Sequence, residues 1–326
     1  MNMSDEALQS AREQVLWAYR LFLEREPENE EAILQHLPYS ITGLREAFLN
    51  SDEYLVAQRN RYSPHHPTPA SDLVFIEDTA QEEILERIFR HIEDIWSNLG
   101  QSEPFWSIIT QDQYLQAALD DVSREQFFAG GFTEIDHITG LLRRIGVEWP
   151  TEGNLMEFGC GIGRVTFALA HKGRRTFGVD ISAPHLERAR NEALTRAPSR
   201  MIDWVKLDRI EGLGRLPLMD LIYTRLVLQH NPPPVMERCL VQLLGRLNPG
   251  GVAIFQLPTH MPGYSFRPEE YLVALRAGSL KSMEMHMLPQ RRVFELIQAA
   301  GCRVLEIFQD ESAGPVYDSY TFIVQR

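Results

Sequence analysis

Cysteine is scarce in this chain: Cys160, Cys239 and Cys302 are the only three in 326 residues. An odd number of widely spaced thiols argues against a disulfide framework or a cysteine-built zinc site and suits a reducing compartment. Positive charge is also short, with 32 Lys and Arg against 45 Asp and Glu and a formal net charge of -13. Sequence-independent nucleic-acid binding sets Lys and Arg against phosphate, so an acidic chain disfavours a nucleic-acid partner. Long apolar runs are missing, and nothing approaches the roughly 18 consecutive apolar residues of a membrane span. The opening MNMSDEALQS lacks the basic and apolar pattern of a secretion signal. These absences lead us to expect a cytoplasmic protein without a membrane span. What is present is an ordinary globular balance, 44% hydrophobic and 24% charged.

The chain divides by texture. Residues 1–62 read as a small helical domain: Val15, Leu16, Tyr19, Phe22 and Leu23 recur at helical spacing, and Ser51 is placed to cap a last short helix. Residues 63–72 sit in the proline-rich YSPHHPTPASD and read as a linker, with His65 and His66 solvated rather than metal-bound. Residues 73–150 read as a helical cap region, with Ile84, Ile88, Ile92 and Ile95 on one face, QYLQAAL as a further helix and Gly130-Gly131 as a flexible pair. From 151 to 326 strand and helix patterns alternate, the mark of a Rossmann-like α/β fold with a mostly parallel sheet. The last two strand patterns, CRVLEIFQD and DSYTFIVQR, follow one another without a helix, which predicts an antiparallel pair at the sheet edge.

The sharpest motif is MEFGCGIGR, residues 156 to 164. Gly159, Gly161 and Gly163 follow a strand, and a turn of glycines lets a ligand approach the backbone. The dinucleotide fingerprint G-x-G-x-x-G puts its third glycine where this chain has Arg164, and no Walker lysine follows. Glu157, two residues before the first glycine, repels a pyrophosphate and suits a cationic ligand group. Asp180 closes the second strand, where an acid accepts both ribose hydroxyls, and Asp208 closes the third, where one accepts from an adenine amine.

With EFGCGIGRVTFALA, GVDISAPHLERAR, DLIYTRLVLQH and LLGRLNPGGVAIFQLP in view, the region 151–326 resembles the class I S-adenosylmethionine-dependent methyltransferases. The resemblance implies a seven-stranded sheet of order 3-2-1-4-5-7-6 with strand 7 antiparallel, and S-adenosylmethionine as cofactor. It places Gly159, Gly161 and Gly163 at the homocysteine part, Glu157 at its amino group, Asp180 at the ribose and Asp208 at the adenine, with Cys160 and Ile181 in the same motifs. More faintly, residues 1–60 resemble a small helical domain found beside bacterial glycan enzymes.

Methyl transfer from a sulfonium is largely a matter of placing an acceptor in line. A hydroxyl acceptor also calls for a base, and His230, just past strand four, has the right ordinary pKa. His260 and His286 are its competitors. Trp106, Phe128, His260, Tyr264 and His286 are candidate acceptor contacts, core packing being the other reading of each aromatic. No Asp-Asn pair follows strand four, so no metal is expected. The expected activity is methylation of an oxygen on a small molecule or glycan. An NAD-linked oxidoreductase and a non-catalytic cofactor-binding scaffold stay open as alternatives.

Overall fold

The computed structural model describes residues 5–23, 25–54, 75–280, 282–314 and 316–326. The 63–72 linker, with His65 and His66, lies outside them. The described residues fall into two compact units, an N-terminal one and one holding residues 75–313 and 318–326.

In the N-terminal unit, α1 (Asp5–Ala18) runs into a wide π turn, Tyr19–Leu23, followed by α2 (Glu30–Leu34) and α3 (Ile41–Leu49). Each short helix has a side-chain cap: Ala32 N–H donates to Asn29 Oδ1 at 2.9 Å, and Gly43 N–H to Ser40 Oγ at 3.1 Å. Ser51 Oγ likewise accepts from Tyr54 N–H at 3.2 Å. Val15, Tyr19, Ile33, Leu44 and Phe48 bury together, with Leu16, Phe22 and Leu23 packed around them.

The larger unit is built on seven strands: β1 (Asn154–Phe158), β2 (Arg175–Asp180), β3 (Ile202–Lys206), β4 (Met219–Thr224), β5 (Leu247–His260), β6 (Arg303–Asp310) and β7 (Asp318–Gln325). Their order is 3-2-1-4-5-7-6, and β7 runs antiparallel to both β5 and β6. This is the expected order. The intervening helices are α6 (Thr166–Lys172), α7 (Ala183–Arg196), α8 (Pro233–Gly245), α9 (Pro268–Ala277) and α10 (Gln290–Ala299). Two earlier helices, α4 (Glu82–Ser102) and α5 (Asp121–Arg144), belong to the same unit.

Alternation along the strands covers both faces of the sheet. Met156, Phe158, Ile222, Ala253 and Phe255 pack with α4, α8 and α10 on one face. Leu155, Leu221, Tyr223, Val252 and Ile254 pack with α5 and α6 on the other. The same alternation puts Glu157 on the second face, beside Tyr223 in register on β4.

Two details differ from expectation. QYLQAAL forms only a short 3-10 turn, Asp112–Tyr114. The Gln116 N–H is taken by Glu103 Oε2 at 2.7 Å, and Tyr114 is buried among aromatic rings, so a longer helix does not form there. Gly130-Gly131, expected to be flexible, lies inside α5. The reason is contact: a Cβ on Gly131 would stand 2.0 Å from the Arg164 carbonyl oxygen, so glycine lets α5 lie directly on the turn that follows β1. Gly131→Ala is therefore expected to cost about 1–3 kcal/mol by overpacking, read as a lowered midpoint in thermal denaturation.

Candidate active site

The glycine turn leaves the carboxyl end of β1. Gly159 N–H and Cys160 N–H both donate to Val179 O, at 2.8 and 3.1 Å, which pins the turn to β2. Gly159, Gly161 and Gly163 have φ of +75°, +51° and +86°, the left-handed region where other residues are strained. Space is as restrictive as angle. A Cβ on Gly159 would lie 2.2 Å from Val227 Cγ2, and one on Gly161 would lie 2.5 Å from Ile108 Cδ1. Ile108, from the segment between α4 and α5, thus rests on the turn from one side and Val227 from another.

Asp180 ties the turn to the next strand end. Its Oδ2 accepts from Gly161 N–H at 2.7 Å and its Oδ1 from Ser182 N–H at 2.8 Å. A carboxylate has further lone pairs, so these bonds leave acceptor capacity for ligand hydroxyls. Ser182 also caps α7, and Gly100 of α4 packs so closely on Ser182 and His185 that a Cβ would lie 2.7 Å from the His185 ring. Ile181 packs in the cluster that holds Trp96 of α4 and Val227.

Glu157 is buried beneath the turn, hydrogen-bonded to Thr166 Oγ1. Burial pushes its carboxyl up to about 8, against the lowering influence of the Thr166 bond and the Arg164 charge. Cys160 is buried too, and burial holds its thiol well above the usual range, so it stays protonated. Asp208 stands apart from these groups. It is exposed and paired with Lys206 Nζ at 2.7 Å, and the hydrogen bond from Lys206 lowers its pKa. It lines a cavity of about 180 Å³ with Leu85 and Phe89 of α4, Ile210 and Arg238.

A buried charge cluster that the sequence did not reveal braces the turn from the α5 side. Glu134 pairs with Arg164 at 2.5 Å and with Arg225 at 3.1 Å, and accepts from the Tyr223 hydroxyl. Burial works to raise the Glu134 pKa, but the two guanidinium charges outweigh it and the net direction is down. Arg164 is the residue that broke the dinucleotide fingerprint, and its side chain provides this brace.

The loop after β4 is strained. Leu226 has φ +60°, uncommon for a branched apolar residue. Its N–H donates to Gln256 Oε1 at 3.0 Å, and Gln256 Nε2 in turn donates to Gln229 Oε1 at 3.0 Å and Ser319 Oγ at 2.7 Å. This buried amide network holds the loop that sets Val227 against Gly159.

His230 follows in a 3-10 turn, Leu228–His230. Its Nδ1 lies 2.9 Å from Glu284 O, a carbonyl, so Nδ1 carries the proton and donates. Nε2 then accepts from Gln229 Nε2 at 3.3 Å, and Trp96 meets the ring edge-on. Burial lowers the His230 pKa to about 4, so the ring is neutral near pH 7. His286 adjoins it: its N–H donates to Gln229 O at 2.7 Å, and its Nδ1 sits 2.8 Å from the Tyr264 hydroxyl. The buried His286 Nε2 has no hydrogen bond and stands 3.6 Å from Glu284 Oε2, which accepts from Tyr271 Oη.

Of the expected acceptor contacts, Tyr264 and His286 thus join His230 in one cluster. His260 is separate, with Nδ1 3.0 Å from Asp318 Oδ2. Phe128 is buried against Phe105, Phe127 and Phe167 beneath the Arg196 guanidinium, and Trp106 packs at the margin of that cluster. Among the described residues no three His, Cys, Asp or Glu side chains gather as a metal site requires, and no helix is long and apolar enough to cross a membrane.

Residues 156–253, from the glycine turn through the start of β5, match the family model described as a methyltransferase domain. That match identifies a methyltransferase domain within this chain. The chain shares its fold with magnesium protoporphyrin IX methyltransferase from Synechocystis PCC 6803. Against the structure of that enzyme with bound SAH the identity is 16% and the TM-score 0.51, covering 73% of this chain and 99% of the other. Against the structure with bound SAM the identity is again 16% and the TM-score 0.50, covering 73% and 97%. No curated protein matches this chain in sequence.

Proposed function

We propose that the methyltransferase binds S-adenosylmethionine at the glycine turn and passes its methyl group to a hydroxyl oxygen of a small molecule or glycan. The observation that carries this reading is the turn itself. Three left-handed glycines follow the strand that carries buried Glu157, and the middle one, Gly161, donates its N–H to Asp180. In this reading Glu157 faces the cofactor's amino group, Asp180 its ribose and Asp208 its adenine, with Cys160 and Ile181 lining the same turn. Residues 73–150 act as the cap, Ile108 being the contact that covers Gly161. The faint likeness of residues 1–60 to a domain found beside glycan enzymes supports a glycan acceptor. The compounds named for structures of similar fold belong to those proteins.

The acceptor oxygen attacks the methyl carbon as the S–CH3 bond breaks. S-adenosylhomocysteine leaves, and the acceptor proton passes to a base. We assign that proton to His286, whose Nε2 has no hydrogen bond, while its Nδ1 is steadied by the Tyr264 hydroxyl. His230 has both nitrogens engaged and a low pKa, which favours a positioning role through Glu284 O.

Calorimetric titration tests the cofactor: S-adenosylmethionine is expected to bind and Asp180→Ala to weaken it, whereas heat with NAD alone would overturn the reading. A labelled-methyl screen of sugars, lipid-linked glycans and phenolics identifies the acceptor. On that acceptor His286→Asn is expected to lower kcat by about 10²-fold or more, with cofactor affinity unchanged. His230→Asn is expected to have the smaller effect. The reverse ranking would return the base to His230.

A further inference from the structure

The amino-terminal edge of the sheet carries a second concavity. Its walls are the segments that lead into β1, β2 and β3, and its volume is about 630 Å³. Small-molecule sites occupy roughly 300–1,000 Å³. The first segment brings Trp149, Thr151 and Glu152, the second His171, Lys172 and Arg174, and the third Ser199 and Arg200, with Thr139 of α5 beside them. The glycine turn lies at the opposite ends of the same strands. β1 alone, five residues long, separates the two by roughly 15 Å at the usual rise of a strand.

The chemistry of this groove runs against that of the whole chain. The net charge is -13, yet three cations and one carboxylate line the groove. The cations are not equally available. Lys172 pairs with Asp136 at 3.0 Å and lies over the Trp149 ring, whose indole N–H donates to Lys172 O. Arg174 and Arg200 are exposed and, among the described residues, make no ion pair and no side-chain hydrogen bond. Elsewhere the arginines near the sheet are engaged, as Arg164, Arg175, Arg196 and Arg225 each meet a carboxylate. The hydroxyls fit the same reading. Thr139 Oγ1 already donates to Ile135 O at 2.7 Å, and Thr151 and Ser199 are exposed. Two unpaired guanidiniums offer forked donors suited to a tetrahedral oxyanion.

We infer that this amino-edge groove is a second, non-catalytic binding site for a phosphate-bearing ligand held between Arg174 and Arg200. The site is independent of the methyl-transfer chemistry. It gives this acidic protein a local means of capturing a phosphorylated molecule while the carboxyl edge stays free.

The test titrates the full chain with inorganic pyrophosphate and with a sugar phosphate. In parallel, sedimentation is measured with phosphatidylcholine vesicles that contain or lack phosphatidylglycerol. Binding that falls with added salt, and that weakens at least about tenfold in Arg174→Glu/Arg200→Glu, is the expected result. Arg276→Glu, an exposed arginine on α9, is the control and should bind as the unaltered chain does. S-adenosylmethionine affinity should be the same in all three. Response to the soluble phosphates assigns a free ligand, and response only to the anionic vesicles assigns a lipid headgroup; both support the site. No binding of any probe, equal binding by the double variant, or displacement of pyrophosphate by S-adenosylmethionine would overturn it.

Discussion

Glu134→Ala is expected to destabilise the larger unit by about 3–5 kcal/mol, the cost of leaving a buried charge without its partner. Arg164 is 11% exposed, and its carboxylate partner is Glu134 at 2.5 Å. Removing that carboxylate leaves the guanidinium, nearly buried under α5, without its ion pair. Tyr223 loses its acceptor at the same time. At roughly 2–4 °C per kcal/mol for a domain of this size, the thermal midpoint should fall by roughly 6–20 °C. Arg164 directly follows Gly163, so the turn should loosen and cofactor affinity fall with stability. Adding Arg164→Met should recover much of the loss, because two apolar groups leave no charge stranded. A single variant within about 1 kcal/mol of the parent would show that Glu134 is no brace. The linkage sign is that of a depressed carboxyl. The stabilisation from Glu134 is present above its unfolded pKa and is lost as pH falls through the folded one.

Cofactor binding is expected to release a proton from Glu157. Its carboxyl, pushed up to about 8 by burial, is mostly protonated in the free chain at pH 7. A cationic amino group placed against it favours the ionised form. Between pH 6 and 8 the affinity for S-adenosylmethionine should therefore rise about tenfold per pH unit. Calorimetry in buffers of different ionisation enthalpy reads the released proton directly. Glu157→Gln should flatten the profile and bring the affinity at pH 8 down toward the parent's value at pH 6. A flat profile in the parent would remove Glu157 from the cofactor's amino group. The free chain shows the opposite trend. With the folded pKa above the unfolded one, the folded state holds the extra proton between about 4.5 and 8. The Glu157 contribution to stability is thus full below that window and lost as pH rises through it.

Much of the fold could be read without coordinates because its signals are local. A strand such as NLMEF declares itself by composition and by the glycines that stop it. A helix such as APHLERARNEALTRA declares itself by spacing and by the serine before it. Repetition of such units leaves few allowed topologies, and the antiparallel closure by β7 follows from two strands without a helix between them. The Gly130-Gly131 misreading has the same root. Glycine was read for the freedom it gives its own backbone, while its use in α5 is to make room for a segment more than thirty residues away.

The proposed cofactor residues could be named for that local reason, since Glu157, the three glycines and Asp180 each sit at or just beyond a strand end. The sequence by itself determined the sheet, its order and the glycine turn that follows β1. Tertiary structure alone decided that Arg164 is answered by Glu134 of α5 and that Leu226 is held in a left-handed conformation by Gln256. It also decided that His230 and His286 share one buried cluster, that Asp208 stays out in solvent beside Lys206, and that Arg174 and Arg200 line one groove at the amino edge. A turn or a cap is a property of a few neighbouring residues. A buried charge or histidine acquires its chemistry from what folding carries against it, from segments tens of residues distant.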